Sequence, residues 1–138
     1  MTVIARSSTN FQVEISAGRH QFVADEPIGT GDDAGPNPYD LLLSALGACT
    51  VITLEMYAQR KHWPLSGVEV SLHTYKVHAR DCDECASDPE SRVDIIERSI
   101  TLQGELTPEQ IARLIEVADR CPVHRTLTGE IKIKTSVQ

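Results

Sequence analysis

The sequence predicts an α+β fold, and three observations carry that prediction. Apolar and polar residues alternate in separate runs near the start, in the middle and at the end of the chain. One long apolar segment, LLLSALGACTVITL from Leu41 to Leu54, divides the first run from the second. A shorter segment places Ile111, Leu114, Ile115 and Ala118 at helical spacing. The resulting order is strands, long helix, strands, shorter helix, strand. A chain of 138 residues suits one domain, 1–138, with enough length for a real core.

The first strands are expected where Phe11, Val13 and Ile15 alternate with Gln12, Glu14 and Ser16. Gly18 breaks that run, and HQFVA from His20 to Ala24 resumes it, so the two form a hairpin. A loop rich in Gly, Asp and Pro follows, Asp25 to Pro38. A loop that long in a small domain is more often functional than idle. It runs into a helix start: Asn37 suits the N-cap, Pro38 the first helical position, and Asp40 the positive end of the helix dipole. From Leu41 the helix is apolar nearly all round, which requires burial all round. A domain this small cannot surround a helix of about 25 residues, so a partner subunit is expected to complete the core. Pro64 in KHWP closes the helix, with His62 and Trp63 packing at or capping its end.

Strands return at Val68–Val77 and Val93–Leu102, separated by the acidic turn ARDCDECASDPES. A second helix begins at Thr107, with Pro108 and Gln110 completing a capping box. Cys121 lies next on its inward face, and Pro122 forces Cys121 out of helical geometry. A last strand is expected over Glu130–Val137, where Ile131 and Ile133 alternate with lysines.

Composition excludes several classes of function. Thirteen basic residues against twenty acidic ones give a net charge of −7, a field that repels phosphate backbones, so no nucleic-acid partner is expected. The N-terminal segment lacks the apolar core of a signal peptide. The Leu41–Leu54 run is shorter than the roughly 20 apolar residues of a membrane span. The chain therefore reads as cytoplasmic and not membrane-bound. In that compartment thiols are kept reduced, so four cysteines point to catalysis, redox cycling or metal before structural disulfides.

Two cysteines, Cys49 and Cys121, stand in the two most helix-like segments. They are either inert core residues or a pair that meets to do redox chemistry. In the second case one thiolate attacks a peroxide and the other condenses with the resulting sulfenic acid. An apolar setting suits a greasy hydroperoxide but raises a thiol pKa, so a cation is needed nearby. Arg19 and His20 in the first hairpin, and His124 and Arg125 after Cys121, are the candidates.

GPNPYDLLLSALGACT together with ADRCPVHRTL resembles the OsmC/Ohr family of peroxide-resistance proteins. The resemblance covers essentially the whole chain, including the order of its elements. It implies an OsmC-like fold, with antiparallel sheets wrapped around two central helices in an intertwined homodimer. It also implies reduction of a small organic hydroperoxide by a peroxidatic cysteine at Cys49 and a resolving cysteine at Cys121. A thiol or dithiol reductant restores the enzyme, and neither a cofactor nor a metal is implied. Where the active branches carry a glutamate, two residues after the Asn-Pro asparagine, this chain has Tyr39, with Asp40 one residue on. Arg19 is the candidate for the arginine that holds the thiolate, and Tyr39, Asp40 and Arg125 are candidate substrate contacts. The YAQRKHWPL and DCDEC segments are similar to the YhfA-like branch.

Tyr39 keeps a second reading open, a catalytically impaired dimer that binds a small hydrophobic or thiol ligand between subunits. Cys82 and Cys85 read first as incidental or family-specific thiols of a solvent-exposed turn, with half a zinc site, an auxiliary redox pair or a redox sensor as the alternatives, and no metal is assigned to them. Glu55, Glu97, Glu116 and Asp119 are expected to be solvated, with no acid–base pair among them. No Ser-His-Asp spacing, phosphate loop or dinucleotide fingerprint is present.

Overall fold

The computed structural model describes residues 1–138. Its strands are β1 (Val3–Ser7), β2 (Val13–Ala17), β3 (His20–Ala24), β4 (Leu65–His78) and β5 (Arg92–Gly104). Its helices are α1 (Pro38–Lys61), α2 (Pro108–Ala118) and α3 (Pro122–Thr128). The strands form two antiparallel sheets, β1-β2-β3 and β4-β5. The fold is thus mixed α+β, and the chain divides into two compact units, residues 1–44 and 45–138.

In the first unit the expected hairpin is present, with Ala17 opposite His20 and Gly18 in the left-handed region at φ 61°. A further strand, β1, pairs with β2 from Val3↔Ala17 to Ser7↔Val13. Phe11 was expected in a strand and instead occupies the β1–β2 turn. Asn10 and Phe11 have φ of 52° and 67°, and Gln12 N–H donates to Thr9 O at 3.0 Å. Two left-handed central residues match the twist of the paired strands, and that requirement overrides the alternation.

Asp25 organises the loop that follows. Its buried carboxylate accepts the backbone N–H groups of Glu26 (2.8 Å), Asp32 (3.1 Å) and Ala34 (3.0 Å). Chief among the causes, the Ala34 bond holds its pKa below the usual carboxylate value, against the opposing effect of burial. Gly31 is obligatory here, since a Cβ would collide with that carboxylate and with the Glu26 backbone. The loop ends in a reciprocal cap: Asn37 Oδ1 accepts from Asp40 N at 2.9 Å, and Asp40 Oδ2 accepts from Asn37 N at 3.0 Å.

In the second unit α1 buries one stripe, Leu46, Thr50, Leu54 and Ala58, spaced four apart. Leu54 and Ala58 join Leu114, Val117 and Ala118 of α2 in a buried cluster, flanked by Tyr57, Trp63, Val68, Ile100 and Leu102. By length and composition α1 could cross a membrane, although the Leu41–Leu54 run alone is too short, but its buried stripe packed on α2 marks it as a core helix. His62 at φ 56° ends it, and Trp63 N–H bonds to Ala58 O while its ring meets Tyr57 edge-on at 5.5 Å. The Thr107–Gln110 capping box starts α2 as expected.

Two differences from the sequence reading matter. Residues 122–128 form a separate helix, α3, capped by Cys121, where only a break was expected. The strand expected over Glu130–Val137 is absent, and Ile131 and Ile133 are 54% and 88% exposed. A strand exists only by pairing its backbone with a neighbour, and this segment pairs with none of the five strands.

Candidate functional site

The second unit places Cys49 near enough to Cys121 to influence its thiol electrostatically. Both are free, Cys49 partly exposed and Cys121 fully buried. The path to this meeting is local on each side. Cys49 precedes Thr50 of the buried α1 stripe. Cys121 follows the end of α2 and turns inward because Pro122 denies it helical backbone, leaving it extended at ψ 138°. From there its sulfur caps α3, accepting the His124 N–H at 3.2 Å.

Burial pushes the Cys121 thiol pKa up, the largest effect; the His124 N–H opposes it, and the hydrogen bond and charge of Cys49 raise it further. Burial thus disfavours the thiolate form of Cys121. Thr50 also reaches the Cys121 sulfur and would lower its pKa by donating to it. A hydroxyl has one proton, however, and that of Thr50 goes to Leu46 O at 2.8 Å. The sulfur receives it only when that carbonyl gives it up.

Arg98 of β5 ties these pieces together. One guanidinium nitrogen donates to Thr50 Oγ1 (3.1 Å) and Ala118 O (3.3 Å), and the other to Asp119 Oδ1 (2.7 Å). Its side chain is only 13% exposed. The Ala118 carbonyl also accepts the Cys121 N–H at 3.3 Å, so Arg98 grips the turn that carries the thiol. Asp119, expected to be solvated, is exposed and also shared between Arg98 and the His124 ring, whose Nδ1 lies 3.8 Å away. Glu97 and Glu116 likewise have partners, Tyr75 and Arg113. A cavity of about 270 Å³ borders this network, lined by Leu46, Asp94, Ile96, Arg98, His124 and Leu127. A larger one, about 530 Å³, lies between Met56, Arg60, Val117 and Arg120, and neither cavity is lined by a thiol.

The other candidates stand elsewhere. Arg19 is exposed on the β2–β3 turn of the first unit. Asp40 is engaged in the helix cap, and Tyr39 beside it is 55% exposed. Arg125 is exposed on α3. Sequence reasoning overlooks Arg98, although a signal exists. Ile96, Arg98, Ile100 and Leu102 occupy alternate, inward positions of β5, so a cation interrupts an otherwise apolar row. Cys82 and Cys85 are joined as a disulfide, and no group of three His, Cys, Asp or Glu side chains is placed to hold a metal.

A family model described as OsmC-like protein matches residues 29–136. No curated protein matches the chain by sequence. Among solved structures, an OsmC-like protein from Mycoplasma pneumoniae superposes with a TM-score of 0.73 at 21% identity, covering 93% of this chain and 86% of that one. An organic hydroperoxide resistance protein OsmC from Legionella pneumophila gives 0.65 at 18%, covering 93% and 88%. The organic hydroperoxide resistance protein OhrB of Bacillus subtilis gives 0.62 at 18%, covering 96% and 93%.

Proposed function

Since the chain belongs to the OsmC-like protein family, we propose that it is a thiol-dependent peroxidase reducing small organic hydroperoxides in oxidative stress defence. The observation that carries this reading is the proximity of a partly exposed thiol to a fully buried one, Cys49 to Cys121. The outer sulfur is the one a substrate reaches, and the inner one is held ready behind it.

In this reading the Cys49 thiolate attacks the distal oxygen of the hydroperoxide. The O–O bond breaks, Cys49 becomes a sulfenic acid, and the alcohol leaves after taking a proton. The Cys121 thiol then attacks the Cys49 sulfur; a disulfide forms and water departs. An external thiol or dithiol returns two electrons and two protons. Cys121 is suited to resolve and not to attack first, because burial keeps it protonated until its partner has reacted. Arg98 supports the pair through Thr50 and the Ala118 carbonyl. The cavity lined by Leu46, Ile96 and Leu127 is a route for an apolar substrate.

A homodimer belongs to the same reading, with 1–138 as one OsmC-like domain in the cytoplasm. Its support is apolar surface that a single chain leaves uncovered: Ile52, Met56, Ile111, Ile115, Ile131 and Ile133 are all exposed. Tyr39, in place of the family glutamate, supports the alternative of a dimer that binds a hydrophobic or thiol ligand without turnover.

The test is consumption of cumene hydroperoxide with dithiothreitol as reductant, paired with mass spectrometry after one equivalent of peroxide. The peroxidase reading expects turnover and a Cys49–Cys121 disulfide, with Cys49→Ser inactive and Cys121→Ser oxidised beyond the sulfenic state. Absence of turnover with every organic hydroperoxide tried would hand the function to the binding reading.

A further inference from the structure

We propose that Cys82 and Cys85 form a second thiol–disulfide centre, independent of Cys49 and Cys121, that takes electrons from neutral or cationic dithiols. The two sulfurs are bonded across a turn, with Cα atoms 5.4 Å apart and Cys85 N–H donating to Cys82 O at 3.3 Å. Both cysteines are partly exposed, and Asp83 and Glu84 between them are fully so. The centre sits in the connection between β4 and β5, where a second molecule can reach it.

A purely structural bond would be expected to hold something that nothing else holds. Here the arms of the connection are already fastened. His78 pairs with Arg92, Ala79 N–H donates to Ser91 O (2.9 Å), and Arg80 N–H donates to Pro89 O (3.3 Å). The Arg80 guanidinium meets Glu90 at 3.0 Å, and Ser91 bonds twice to the Asp88 carbonyl. A bridge between residues three apart also closes a very short loop, which removes little chain entropy. Opening it leaves the hairpin in register, which is the property a reversible centre needs.

Charge then selects the reagent. Asp81, Asp83, Glu84 and Asp88 flank the pair along the chain, and the nearby Arg80 is paired with Glu90. That field repels anionic thiols and admits neutral or positive ones. The exchange balances as follows. A thiolate of the dithiol attacks one sulfur of the Cys82–Cys85 bond, which breaks, and the released thiolate takes a proton. The second thiol of the reagent then displaces the mixed disulfide. The protein ends with two thiols and the reagent as a disulfide, two electrons having passed to the protein.

The test uses the full chain carrying Cys49→Ser and Cys121→Ser, so that only the hairpin pair reports and a failed peroxidase reading leaves the result intact. After equilibration with oxidised dithiothreitol, the native chain should take up no alkylating groups; after reduced dithiothreitol it should take up two, with an unchanged circular dichroism spectrum. Free thiols under both conditions, or a bond opened only in denaturant, would overturn the proposal. Corrected for thiolate fraction, cysteamine should open the bond about ten-fold faster than glutathione at low salt. The gap should close at high salt. Equal low-salt rates, or the opposite order, would refute the charge selection.

Discussion

Replacing Arg98 by methionine isolates what one buried cation contributes to the thiol site. The bond to Asp119 joins a guanidinium that is 13% exposed to a carboxylate that is 65% exposed. Solvent screening limits such a pair to about 0.2–1 kcal/mol. The bonds to Thr50 Oγ1 and Ala118 O lie further inside. A hydrogen bond from a charged group is worth about 1.5–3 kcal/mol; at 3.3 Å the Ala118 bond is at the weak end, and the Thr50 bond at 3.1 Å is stronger. Together the three come to about 4 kcal/mol. Methionine offsets about 1 kcal/mol of this by burying apolar surface in the row of Ile96 and Ile100.

The expected net loss is therefore about 3 kcal/mol, or a melting temperature about 10 °C lower. Denaturant unfolding measures it directly, with Asp119→Asn as the control that should lose about 1 kcal/mol or less. A double-mutant cycle with Thr50→Val should show a coupling of about 1 kcal/mol. Disulfide closure between Cys49 and Cys121 after peroxide should also slow, because the turn that aims Cys121 loses its grip on β5. An Arg98→Met chain no less stable than Asp119→Asn, with no coupling to Thr50, would refute the claim that the inner bonds hold the site.

Other expectations follow from the same structure. The raised Cys121 pKa makes stability fall as pH rises above about 9, because the unfolded thiol loses its proton before the folded one does; urea titrations should show that slope vanish in Cys121→Ala. Asp25 has the opposite sign: its lowered pKa gives stability that is present above about pH 4 and lost as pH falls through the folded value. Hydrogen exchange at the Asp32 and Ala34 amides should rise at acid pH, and Asp25→Asn should abolish that dependence. Leu54→Ala should cost about 2–5 kcal/mol by denaturant unfolding, because Leu54 is wholly buried in the cluster with α2. Sedimentation should give a dimer; a clean monomer would leave the exposed α1 residues without an explanation.

Much of the fold is legible in local chemistry. The Asn37–Pro38–Asp40 start, the Thr107–Gln110 box and the Val68–Val77 alternation each act within a few residues, and each forms as read. Phe11 and the Glu130–Val137 segment differ because their fate depends on something further away. A turn between two paired strands claims the first, and the second pairs with no strand of the chain, which periodicity alone cannot foretell. Arg98 was detectable as a cation in an apolar row, but what it grips is not written in β5.

Alone, the sequence determined the order of elements as far as the second helix, the family resemblance and the two thiols that merit attention, since these depend on residue types and short-range periodicity. Only the tertiary structure decided that Cys49 and Cys121 lie near each other, that one is partly open and the other enclosed, and that Arg98 stands beside the turn carrying Cys121. Residues 72 positions apart meet through the packing of α1, α2 and β5, and the mutual placement of those elements is a collective outcome that no single stretch encodes.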